Sequence, residues 1–140
     1  VIEAESARFD WIMAPQVTSP LRTSADIRKG LEIAKGDNYD SIFSCCVSGT
    51  YFFWTENEGK IESINYDWRN RYPRQDTPKM YIENGSFYMF RPDILRQYKN
   101  RLGGRIGMVE MEFWKMFEID NQEELRICST LMKEFLLEKR

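Results

Sequence analysis

A chain of 140 residues with 42% hydrophobic and 30% charged side chains has enough material for one domain with a real core, and too little for two. Its formal net charge of -2 argues against nonspecific nucleic-acid binding, although it leaves open an anionic small-molecule substrate. With no histidine there is no Ser-His-Asp triad, no Cys-His dyad and no histidine metal site in this sequence.

Val1 to Ala7 reads as the tail of a helix. Trp11-Ile12-Met13-Ala14 is a short apolar run ended by Pro15, which predicts a buried strand. Thr23 or Ser24 can cap a following helix with Asp26 in its first turn, and Ile27, Leu31 and Ala34 recur at helical spacing. Ser41 to Val47 reads as the next strand. Residues 49–80 read as an excursion from the sheet, aromatic at Tyr51-Phe52-Phe53-Trp54 and then polar, with Pro73 and Pro78 as breakers. Arg69, Arg71 and Arg74 form a local basic group.

Ser86 to Phe90 predicts a strand, Arg91-Pro92-Asp93 opens a short helix, and Ile106 to Met111 is another strand. In the last helix Leu125, Cys128, Leu131, Met132, Phe135 and Leu136 form an apolar stripe, and Asn121 with Glu124 fits a capping box. Helices alternating with short apolar strands predict an α/β domain with a mostly parallel sheet. Cys45, Cys46 and Cys128 lack the spacing of a zinc site and read as small apolar residues of a reduced protein. No apolar run is long enough to cross a bilayer and Val1 to Glu5 has no signal-peptide character, so the expectation is a cytoplasmic protein without a membrane partner.

Three segments carry polar groups that are poor core material. Gln16-Val17-Thr18-Ser19-Pro20-Leu21-Arg22 lies between a strand and a helix, where open α/β sheets place ligand crevices; a tight turn before a capped helix is the plainer alternative. Arg74-Gln75-Asp76 and Tyr81-Ile82-Glu83-Asn84-Gly85-Ser86-Phe87-Tyr88 bring an arginine, amides, carboxylates and a permissive glycine to an aromatic strand. In Glu118-Ile119-Asp120 both carboxylates project to one side if this is a strand end, and two such groups suit Mg²⁺. Otherwise Asp120 is a helix N-cap and Glu118 a surface residue.

Taken together, in this order, the three segments resemble the motifs of the CMP-sialic acid synthetase family, cytidylyltransferases that activate nine-carbon acidic sugars. The resemblance implies a Rossmann-like nucleotide-diphospho-sugar transferase fold and a reaction in which the sugar's anomeric hydroxyl attacks the α-phosphorus of CTP, releasing pyrophosphate. It implies that Gln16, Ser19 and Arg22 shape the sugar pocket, that Arg74 pairs with the sugar carboxylate, and that Gln75 and Asn84 bond sugar hydroxyls. Tyr88 would line a patch for an acyl substituent. Asp120 would be catalytic and, with Glu118, would hold Mg²⁺. A homodimer through the 49–80 excursion is also implied.

This sequence departs from the family at Val17, often proline there, and at Glu118, usually aspartate. The family's opening strand and basic, glycine-containing triphosphate loop find no counterpart in the segment from Val1 onward, so the chain by itself is expected to be inactive. Two other classes therefore stay open: a non-catalytic, self-associating remnant, and a sugar-binding module without transfer chemistry.

Overall fold

The computed structural model describes residues 9–137 apart from Asp37, Thr50, Tyr72 and Thr77. The expected helical tail at Val1 to Ala7 lies outside the described residues. The main sheet has four strands in the order β1-β5-β2-β6, with β1 at Ile12–Pro15, β2 at Ser41–Val47, β5 at Tyr81–Phe90 and β6 at Ile106–Met111. A separate hairpin pairs β3, Trp54–Asn57, with β4, Lys60–Ser63. The helices are α1 at Ser24–Lys35, α2 at Pro92–Tyr98 and α3 at Gln122–Met132.

The expectation of a mostly parallel sheet needs correction. β5 runs antiparallel to both of its neighbours, and only β2 and β6 form a parallel pair. The cause is the connection: among the described residues between β2 and β5 there is no crossover α-helix, only the excursion carrying the hairpin, so the chain returns against β2. β1, β2 and β6 still point the same way, because β5 lies between β1 and β2 and opposes both.

Local chemistry explains the helix starts. Thr23 caps α1 in a reciprocal box with Asp26, and Asn121 does the same for α3 with Glu124. Pro92 occupies the first turn of α2, where its missing N–H costs nothing. The strands divide the core in two by alternation. Ile42, Cys46, Phe87, Met89, Val109 and Met111 pack with Ala34 of α1 on one face. Tyr88 and Phe90 pack with Ile94 of α2 on the other, against Ile12, Ala14 and Phe43.

β5 begins at Tyr81 rather than at Ser86, because its polar first half pairs with β2 as well. Its pairing breaks in the middle. Phe43 faces Tyr88 and Cys45 faces Glu83, so two steps along β2 match five along β5. The Ser44 hydroxyl fills the gap, accepting from Phe87 N at 2.9 Å and donating to Phe87 O at 3.0 Å. The odd excess reverses the side-chain alternation, so Glu83 and Tyr88 share a face although an odd number of positions separates them.

The apolar stripe expected on α3 is only thinly covered. Cys128 is buried, whereas Leu125, Ile127 and Phe135 are exposed, and Phe135 stacks on Trp114. Among the described residues no helix is long and apolar enough to cross a membrane.

Candidate functional site

Two of the three sequence segments, and the strand half of the third, meet at one end of the sheet. Gln16 N donates to Ser86 O at 3.2 Å, and Ile119 N donates to Thr18 O at 2.8 Å. These backbone bonds tie the loop after β1 to the β5 irregularity and to the segment before α3. Side chains add to the tie. Gln16 Nε2 donates to Glu118 Oε2 and to Thr18 Oγ1, both at 3.1 Å. Arg22 Nη1 donates to the carbonyls of Gln16, Ser19 and Ser86 at 2.9, 2.7 and 3.1 Å, so this nitrogen acts as a backbone clamp within the loop.

Gly85 is required at the centre. Its φ of +61° lies in the left-handed region, and a Cβ there would stand 2.6 Å from Glu118 Oε1 and 3.2 Å from Gln16 Nε2. The Glu118 carboxylate therefore occupies the space that a side chain at position 85 would need. Ser19 and Ser86 are each 1% exposed, and neither hydroxyl has a hydrogen-bond partner. Buried groups of this kind are normally satisfied, so both hydroxyls have capacity left for water or a ligand.

The electrostatics are acidic. Burial pushes the Glu118 carboxyl above the usual glutamate range, and the negative charges of Asp120, Glu83 and Glu124 push it further. A cation beside Glu118 would relieve that repulsion. Carboxylate oxygens are the donors Mg²⁺ prefers, so Glu118 and Asp120 suit it in kind. Among the described residues no group of three or more acidic or sulfur side chains is gathered tightly enough to hold a metal, so further oxygens would have to come from substrate and water.

Glu118-Ile119-Asp120 is not the end of a strand. It follows a 3-10 turn at Phe113–Met116 and is held by the Ile119 bond to Thr18 and by Cys128 Sγ, 3.7 Å from the Glu118 carbonyl. The α3 N-cap is Asn121, which leaves the exposed Asp120 carboxylate outside the cap.

Tyr88 and Asn84 project to opposite faces of the sheet. Tyr88 lies on the α2 side, donates its hydroxyl to Glu83, and has the Arg101 guanidinium 4.0 Å from its ring centre. Burial, and then Glu83, push its phenol up to about 12. Asn84 is 0% exposed on the α1 side; its Nδ2 donates to Lys115 O at 3.0 Å and its Oδ1 accepts from Ser86 N at 3.3 Å. Asn84 thus supports the strand from beneath. Arg74 to Asp76 forms a 3-10 turn on the excursion with Gln75 exposed; the Arg74 side chain lies outside the described residues.

Sequence reasoning missed Glu83, Arg101 and Lys115. Lys115 had a visible signal, being the one charge inside Phe113-Trp114-Lys115-Met116-Phe117. Glu83 was visible as a carboxylate of the polar run, but its partnership with Tyr88 was not, because its face depends on the pairing break in β5.

No protein-family profile matches the chain. Over 130 residues it is 30% identical to the post-translational flagellin modification protein B of Campylobacter coli. That alignment takes in 91% of this chain and 54% of the relative, so the chain spans about half the length of the curated protein it matches.

Proposed function

We propose that this chain forms the sugar-acid side of a cytidylyltransferase that joins CTP to a nonulosonic acid such as sialic or legionaminic acid. The observation that carries the reading is the meeting of Gln16, Gly85 and Glu118, drawn from three separated segments, at one sheet end. The similarity to a post-translational flagellin modification protein is compatible with a role in supplying a modifying group. The three codirectional strands, with α1 and α2 on opposite faces, suit a Rossmann-like nucleotide-diphospho-sugar transferase domain.

In this reading Gln16, Ser19 and Ser86 offer hydrogen bonds to the sugar, and Arg74 and Gln75 approach it from the excursion. Arg22 holds the loop and Asn84 the strand in position. Tyr88, with Glu83 and Arg101, forms a wall of the pocket. Asp120 and Glu118 would hold Mg²⁺, which supplies charge neutralisation on the phosphates when bound. The cytoplasm, where CTP is made, is the matching location.

The test is to measure binding of CTP and of sialic or legionaminic acid separately, then pyrophosphate release with Mg²⁺. The same assay is repeated with a separate polypeptide carrying the family's strand, triphosphate loop and helix. We expect the sugar acid to bind this chain, turnover to need the added segment, and Asp120→Asn to abolish it. A folded chain that binds neither compound would remove the proposal.

The exposed hairpin favours a second reading, self-association without chemistry. Tyr51, Phe53, Trp54 and Ile61 are all exposed, a large apolar surface for a lone chain. A homodimer is compatible with both readings.

A further inference from the structure

The buried ion pair between Asp26 and Lys115 is unused by the reading above. Asp26 is 1% exposed and Lys115 is 3% exposed, with Nζ to Oδ2 at 2.7 Å. Lysine is almost never buried this far, and a pair of charges taken out of water loses much of its mutual attraction to desolvation. Apolar side chains of similar volume often serve stability as well or better. The pair therefore calls for a geometric explanation.

Its connections supply one. Asp26 Oδ2 also accepts from Thr23 N and Thr23 Oγ1, both at 2.7 Å, fixing the start of α1 one residue after the Arg22 clamp. Lys115 Nζ reaches Glu112 at 2.6 Å, and Lys115 O accepts Asn84 Nδ2 at 3.0 Å. Asn84 Oδ1 takes Ser86 N, and Ser86 O takes Arg22 Nη1. The bonds close a ring through Arg22, Ser86, Asn84, Lys115, Asp26 and Thr23. Gly85 lies on that ring between Asn84 and Ser86, and Glu118 follows Lys115 by three residues.

We propose that Lys115, through Asp26 and Asn84, is the positioning residue of the cleft, holding the Gly85 backbone against Gln16 and Glu118. It touches no ligand. The inference concerns the shape of the cleft and rests on the proposed function only for what the cleft binds.

The test uses the whole chain and two variants. Asp26→Asn with Lys115→Met removes both charges while keeping volume and the acceptor for Thr23. Asn84→Ala breaks the ring beyond Lys115 and leaves the ion pair intact. Both are followed by the amide exchange rate of Ser86 and the side-chain amide resonances of Gln16, with Ile42 in mid-sheet as the internal reference. In the folded double variant we expect Ser86 exchange to rise about tenfold or more, and in both folded variants displaced Gln16 resonances with an unchanged Ile42; Asn84→Ala is judged on Gln16 alone, because it deletes the Ser86 N–H acceptor itself. Unchanged Ser86 and Gln16 signals in the folded double variant, or unchanged Gln16 resonances in folded Asn84→Ala, overturn the proposal. If the double variant does not fold, Lys115→Arg, which keeps the charge and alters its reach to Asp26, is read by the same signals.

Titration with N-acetylneuraminic acid separates the two ideas. A wild-type chain that ignores this sugar counts against the proposed function, while the amide signals still judge Lys115. If the wild type binds, about a tenfold weaker affinity in the double variant supports a positioning role.

Discussion

Gln16 and Glu118, 102 positions apart in the chain, share a 3.1 Å hydrogen bond directly over the Cα of Gly85. That contact packs three segments so closely that a methyl group on Gly85 would push the Glu118 carboxylate aside. Gly85→Ala should therefore lose about 1–2 kcal/mol from the left-handed backbone alone, and more from displacing the Glu118 carboxylate. Urea unfolding checks the stability, and loss of sugar-acid binding should accompany it.

Asp26→Asn should be costly at neutral pH. Burial alone would push the Asp26 carboxyl up, but the bonds from Lys115 and Thr23 outweigh it and hold the group below its usual value. The variant leaves Lys115 buried with only the exposed Glu112 as a charged partner, which costs about 3–5 kcal/mol for a broken buried pair. A depressed carboxyl gives stability that is present above the unfolded value, near pH ~3.9, and is lost as pH falls through the lower folded value. The gap between wild type and variant should therefore hold down to about pH 4 and narrow below it. Chemical denaturation across acidic pH measures this, and a gap that widens on acidification would contradict the charge assignment.

Tyr88→Phe removes the hydroxyl that meets Glu83 and keeps the ring among Phe90, Ile94 and Phe43. The loss should be about 1.5–3 kcal/mol, the range for a hydrogen bond to a charged group. In an alkaline ultraviolet titration of the wild type, the phenol missing from the variant should be among the last to ionise, since its value is pushed up to about 12.

The hairpin gives a prediction about assembly. Trp54→Glu with Ile61→Lys should shift any dimer seen by sedimentation equilibrium toward monomer while leaving the main sheet folded, because both residues are exposed on strands that pair only with each other. A wild-type chain that is monomeric at high concentration would count against association through this surface.

Much of the fold could be read from the residues. β2 and β6 have the expected limits, the expected capping box forms at Asn121 and Glu124, and of the two cap candidates for α1 it is Thr23 that caps. Short apolar runs and caps are local signals; the exception is β1: expected to be buried and to stop before Pro15, it lies at the sheet edge with Met13 exposed and Pro15 inside the strand. The direction of β5 could not be read, since it depends on the absence of a crossover helix after Val47. Nor could its start at Tyr81, because Glu83-Asn84-Gly85 has the composition of a loop, and the strand extends past it only through the pairing of Glu83, Ile82 and Tyr81 with Cys45, Cys46 and Val47. The same holds at the site. The Gln16 loop and Glu118 were visible as polar groups out of place, and they do meet. That Asn84 faces inward and Tyr88 the other way follows from the irregularity in β5, which long-range pairing creates.

That irregularity makes strand length behave like a reading frame. With five steps set against two, Glu83 and Tyr81 point away from α1 and Ile82 points toward it. Deleting or inserting one residue between Asn84 and Phe87 would turn the first half of β5 over. Glu83 would then be directed into the layer of Cys46 and Met111, and Ile82 would replace it beside Tyr88. A codon inserted here would remove no contact residue, yet it would exchange the wet and dry sides of the wall. A substitution along β5 acts at its own position, whereas a change of length resets the face of every residue before the break unless it restores the parity.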